Sequence, residues 1–125
     1  IRLAGPMVRL RKATVQTFAL ALHELATNAL KYGAFTTPHG RLSVTWRTFP
    51  SEDGRRLLVE WVEEGLVRER EIQSPVTRGG YGRELIERAL PYALKAKTRY
   101  ELGETALHCA IDLPLPAGEA IGSQA

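Results

Sequence analysis

The chain has 125 residues, 44% of them hydrophobic and 25% charged, with a formal net charge of +3 and one cysteine, Cys109. That length suits a single domain with its own core, and one cysteine excludes an intramolecular disulfide and a cysteine-cluster metal site. No apolar run approaches the ~20 residues that cross a bilayer, and the basic excess is small and sign-interleaved (Arg68, Glu69, Arg70, Glu71), unlike the basic blocks of nucleic-acid-binding arms.

The first ten residues carry apolar groups around Gly5-Pro6 and predict a short strand pair or an extended arm. The start at Ile1, with no signal-like segment, suggests a piece excised from a longer protein. Over residues 13–34 the pattern turns helical. Phe18, Leu22, Leu25 and Ala29 recur at steps of four and three, with Thr14 near the N-cap and Gly33 as the stop. Leu42, Val44 and Trp46 then alternate with Ser43, Thr45 and Arg47, which is the strand period.

A turn over 49–54 leads to a second alternating run with Leu57, Val59 and Trp61, and the two runs predict an antiparallel hairpin. A polar loop over 66–78 is long enough to serve as a lid or binding loop. The glycine cluster Gly79-Gly80-Tyr81-Gly82 opens a second helix holding Leu85, Ile86 and Leu90. Pro91 should kink or end that helix, with 92–94 as a further turn. Strands over 98–102 and 107–113, turning at Gly103-Glu104, close the domain at about residue 115. The tail 116–125, rich in Gly, Ala and Ser, reads as disordered. Helix, hairpin, loop, helix, hairpin is the order of an α/β two-layer sandwich, with helices on one face of a mostly antiparallel sheet.

Two constellations carry chemistry. On the long helix Glu24, Asn28 and Lys31 stand at i, i+4 and i+7 and share one face. An amide oxygen suits a hard cation such as Mg²⁺, which binds through few protein ligands plus phosphates. A carboxylate one turn away can orient a water or accept a proton, and the lysine can meet phosphate oxygens. The same face would also serve as an ordinary polar face, although asparagine inside a helix calls for a reason. The second constellation is the glycine cluster with Arg83. Glycines before a helix let N–H groups converge on an anion, and a tight turn would look alike. The Walker lysine-serine pair and the Gly-x-Gly-x-x-Gly fingerprint are both missing.

Together and in this order the two constellations resemble the catalytic domain of histidine kinases, on the Bergerat ATP-binding fold. Glu24 to Asn28 matches the N box. Trp61-Val62-Glu63-Glu64-Gly65 matches the adenine-reading segment, with Glu63 where most of the superfamily has aspartate. Trp-x-Glu together with His23 resembles the HWE branch of bacterial sensor kinases, as do 80–90 and the closing Ile111-Asp112-Leu113-Pro114.

The resemblance covers residues 7–114 and implies ATP and Mg²⁺ as cofactors. Asn28 would hold Mg²⁺, Glu24 would orient a metal-bound water or act as base, Lys31 would approach the phosphates and Tyr32 would border the nucleotide. Glu63 would accept a hydrogen bond from the adenine amino group, and Gly65 would permit close backbone approach. Gly80, Tyr81, Gly82 and Arg83 would lie at the phosphates. His23 and Trp61 mark the branch; Trp61 also reads as core and His23 as a packed histidine. The branch often has two glycines after the glutamate, whereas Leu66 follows Gly65 here.

The implied function is the ATP-binding domain of a cytoplasmic two-component sensor kinase. It would donate the γ-phosphate to a histidine on a separate dimerisation domain, in a homodimer that signals to a response regulator. Neither nucleic acid nor direct membrane contact is expected. A non-catalytic nucleotide-sensing or interaction module on the same fold is the alternative, and Leu66 is the residue that favours it.

Overall fold

The computed structural model describes residues 1–52, 54–67 and 83–116. Its elements are β1 (Arg2–Ala4), α1 (Lys12–Lys31), a 3-10 turn (Ala34–Thr36), β2 (Arg41–Ser51), β3 (Gly54–Glu64), a π-helical turn (Leu85–Ala89), α2 (Leu90–Leu94), β4 (Lys97–Leu102) and β5 (Ala106–Pro114). One five-stranded sheet runs in the order β1-β2-β3-β5-β4. Every pairing is antiparallel except β1 with β2, which is parallel. Parallel neighbours need a crossover, and α1 supplies it.

The strands alternate as the sequence predicts, and register puts every covered residue on one face. Trp61 of β3 lies between Val44 of β2 and Cys109 of β5, and Val59 pairs with Ile111. Ala21, Leu25 and Ala29 of α1 join these residues, together with Ile86 and Leu90, in one core. Fully burying a leucine such as Leu25 or Leu90 contributes about 1.5–3 kcal/mol, which binds the helical layer to the sheet. The opposite face is polar. There Arg56 donates to the Asp112 carboxylate at 2.6 Å and to its backbone oxygen at 3.1 Å, and His108 stands 3.4 Å from Glu60. The α/β sandwich with helices on one face is therefore the observed fold.

Boundaries differ in instructive ways. The opening residues supply one strand, not a pair. The arm after it is anchored where Trp46 donates its indole N–H to the Pro6 carbonyl at 2.7 Å. Helix α1 ends at Lys31, short of Gly33, and Arg11 is its N-cap without any side-chain bond, so Thr14 does no capping. Its fully covered positions are Ala21, Leu25 and Ala29, while Phe18 and Leu22 pack only at the core's margin. Alanines let a helix approach a sheet closely; the predicted stripe included Ala29 and passed over Ala21.

The predicted turn at 49–54 shrinks to the two residues between Ser51 and Gly54, because Phe49 and Pro50 still pair with Arg56 and Arg55. Pro50 is tolerated since β1 covers β2 only from Ser43 to Thr45, leaving an open edge beside it. Pro91 neither ends nor visibly breaks its helix. The preceding turn widens, with Leu90 N–H bonding to Leu85 O, and α2 runs on to Leu94. A proline ring clashes with the carbonyl four residues back, and a π-turn displaces that carbonyl. The loop from Arg68, the glycine cluster 79–82 and the tail beyond Pro116 lie outside the described residues.

Candidate functional site

Glu63 is the one polar or charged side chain among the described residues that is buried outright. It follows Trp61 by two on β3, so both point to the covered face, and its strand partners are Leu42 and Leu107. Burying a charge among leucines is costly unless hydrogen bonds hold it. Two do so. Glu63 Oε1 accepts the Ala34 N–H at 3.0 Å, and Oε2 accepts the Trp61 indole N–H at 2.7 Å. The first bond ties β3 to the turn directly after α1. Its influence reaches Cys109, whose thiol is pushed up from 9.0 to about 12 by burial first and the Glu63 charge second.

The segment after Glu63 is fastened to the same turn. Thr37 Oγ1 donates to the Gly65 carbonyl at 3.2 Å. Gly65 has φ of +73°, and a Cβ there would collide with the His39 carbonyl. Glycine is required by this left-handed backbone and by the protein's own close approach. Leu66, the departure from the branch pattern, is buried in the core and donates its N–H to the Thr105 carbonyl at 3.0 Å. It closes the sheet against the β4–β5 turn.

On α1, Glu24 and Asn28 are half-buried and Lys31 is exposed. Tyr32 caps the helix, its N–H bonding to Asn28 O at 2.7 Å. These residues occupy the helix turns that run into Ala34. The structure thus brings Asn28, Lys31, Tyr32, Glu63 and Gly65 to one end of the fold. The packed reading of His23 does not hold: its side chain is 74% exposed, and Nδ1 lies 3.9 Å from Glu24 Oε2. Arg83 donates to Glu87 at 3.2 Å, with its guanidinium 5.1 Å above the Tyr100 ring. Gly80, Tyr81 and Gly82 lie outside the described residues.

Asn28 and Glu24 offer a neutral and an anionic oxygen donor, a set that fits a Mg²⁺ ion held mainly by phosphates and water. Among the described residues no group of three or more His, Cys, Asp or Glu is placed to hold a metal, and no helix is long and apolar enough to cross a membrane. Sequence reasoning missed Ala34 and Thr37, which act through backbone and hydroxyl at long sequence separation. The Trp61–Glu63 bond had a signal, the two-residue strand spacing that places both on one face.

Known proteins resemble this chain in sequence and fold. No family model matches the chain. It is 30% identical over 115 residues, 92% of its length, to the blue-light-activated histidine kinase of Brucella ovis. It is 31% identical over 117 residues to that of Brucella anthropi. The chain spans 23% of the length of these curated relatives. Among solved structures, the histidine kinase domain of an Erythrobacter litoralis blue-light activated histidine kinase superposes with a TM-score of 0.65 at 23% identity, over 91% of this chain and 53% of that one. The catalytic domain of histidine kinase ThkA gives 0.61 at 16% identity, over 90% and 76%.

Proposed function

From a chain similar in sequence to histidine kinases and in fold to their catalytic domains, we propose an ATP-binding phosphotransfer module, spanning residues 1–115. It would serve a histidine on a separate dimerisation domain of the same, homodimeric protein. The observation that carries this reading is the buried, doubly hydrogen-bonded Glu63 carboxylate beside the turn that ends the Asn28-bearing helix. A fixed acceptor among apolar side chains suits the exocyclic amino group of adenine. Leu66, on which the interaction-module reading rests, is a core residue here.

In this reading Glu63 binds the adenine amino group, Gly65 shapes the wall beside it and Tyr32 borders the nucleotide. Asn28 holds Mg²⁺, Glu24 orients a water beside it, and Lys31 and Arg83 meet phosphate oxygens. The family resemblance assigns Gly80, Tyr81 and Gly82 to the phosphates as well; they lie outside the described residues. Bound Mg²⁺ supplies neutralisation of charge on the phosphates. Phosphoryl transfer is mostly positioning and charge stabilisation, so this domain supplies the clamp and the acceptor histidine supplies the nucleophile. A cytoplasmic setting and a response regulator downstream belong to the same proposal.

Titration with a non-hydrolysable ATP analogue tests it. Saturable, Mg²⁺-dependent binding is expected, and Asn28→Asp should weaken it by about ten-fold through like-charge repulsion of the phosphates. No binding at millimolar nucleotide refutes the proposal.

A further inference from the structure

Trp61 has a second task besides filling the core. Its indole N–H holds one oxygen of Glu63 while the Ala34 N–H holds the other, at 2.7 and 3.0 Å. Two donors on two different oxygens fix both the position and the plane of a carboxylate. Glutamate has one more rotatable bond than aspartate, and the extra bond must be restrained if the carboxylate is to read a ligand. A carboxylate offers about four acceptor positions, and the Trp61 and Ala34 donors orient it from two different oxygens.

The donors also come from different elements. Trp61 is on β3 itself, whereas Ala34 opens the turn that follows α1. Thr37 of the same stretch donates to the Gly65 carbonyl, and the His39 carbonyl packs against Gly65. The base-reading segment 63–65 and the end of the helix bearing Asn28 are therefore fastened together through the Glu63 side chain.

We propose that Trp61 is a positioning residue. Its indole N–H sets the Glu63 carboxylate for purine reading and, through the Ala34 amide, couples the base-reading segment to the end of α1. Trp61 itself touches no nucleotide in this account. The inference rests on the ATP-binding reading for its ligand and stands on its own for the coupling.

Trp61→Phe removes the N–H and keeps an aromatic ring. Site-specific replacement of Trp61 by benzothienylalanine, which puts sulfur in place of N–H in nearly the same shape, serves should the phenylalanine variant fail to fold. Affinities for ATP and ITP are compared with Mg²⁺ present; ITP carries a 6-oxo acceptor where ATP carries the 6-amino donor. The native chain should prefer ATP. The variant should lose about ten-fold of that preference, through weaker ATP binding at unchanged ITP binding. Equal weakening of both nucleotides marks a packing role only and overturns the proposal, as does a preserved preference.

Amide hydrogen exchange in the nucleotide-free chain tests the coupling separately. Loss of the indole donor should speed exchange at Ala34, since one carboxylate holds both N–H groups. Unchanged exchange at Ala34 overturns the coupling whatever nucleotide does. A native chain that binds ATP and ITP alike would instead remove Glu63 as the base reader, and the Ala34 exchange result would still decide the coupling.

Discussion

Cys109 and Glu63 share one stretch of covered sheet, Cys109 opposite Trp61 on β5 and Glu63 two residues further along β3. Burial first and the nearby carboxylate second push the thiol's pKa from 9.0 to about 12. Below pH 9 both folded and unfolded chains keep this proton. Between 9 and about 12 the unfolded chain releases it while the folded chain retains it, so the folded state binds more protons and stability falls as pH rises. Cys109→Ala removes that proton and its pH dependence. Urea unfolding from pH 8 to 11 should show a shallower alkaline loss of stability in the variant than in the native chain. Parallel pH dependences would sink this account of Cys109. The same burial should keep the native thiol inert to alkylation at neutral pH.

Among the elements, the β2–β3 hairpin separates what holds the fold from what forms the site. Its turn closes at Ser51 and Gly54, where φ is +127° and a Cβ would meet nothing. Substitution there is opposed by the backbone conformation alone. Gly54→Ala should cost about 1–3 kcal/mol, seen as a lower denaturation midpoint. Glu63 lies nine residues along β3, about 30 Å away at strand rise, so nucleotide affinity of the folded fraction should stay unchanged. A midpoint equal to the native value would show that the turn relaxes to accept alanine.

The hairpin also shows what the sequence makes legible. Alternation at Leu57, Val59 and Trp61 announces β3 and its covered face, and Glu63 continues the same phase. The adenine-reading role proposed for it comes from the resemblance of the Trp-x-Glu-x-Gly pattern, and its burial from the strand phase. The Ala34 and Thr37 contacts were not, because backbone N–H and hydroxyl partners across nearly thirty positions leave no periodic trace. Pro50 inside β2 and Pro91 inside the second helical run misled for a related reason. An open sheet edge and a widened π-turn decide their tolerance, and both are tertiary facts.

Taken whole, the chain carries the proposed nucleotide site at one end of a two-layer sandwich, and neither His39 nor His108 has the helical setting of an acceptor. His39 follows Pro38 in the loop after the 3-10 turn and is exposed. His108 is on the polar face of β5, beside Glu60, and its strand partners are Val62 and Glu101. Glu63 faces the opposite side of the sheet, so His108 is separated from the proposed site by the sheet itself. His23 is exposed on α1, at a site position of the branch pattern and one residue from Glu24. In the proposed function the nitrogen that attacks in line with the leaving oxygen of the γ-phosphate belongs to the separate dimerisation domain. The 125-residue chain incubated with γ-labelled ATP should therefore acquire no acid-labile, base-stable phosphate. Adding the proposed histidine-bearing dimerisation domain should give label on that domain only. Label on this chain alone, abolished by replacing His23, His39 or His108, would place the acceptor inside the domain and overturn the division of labour between clamp and nucleophile.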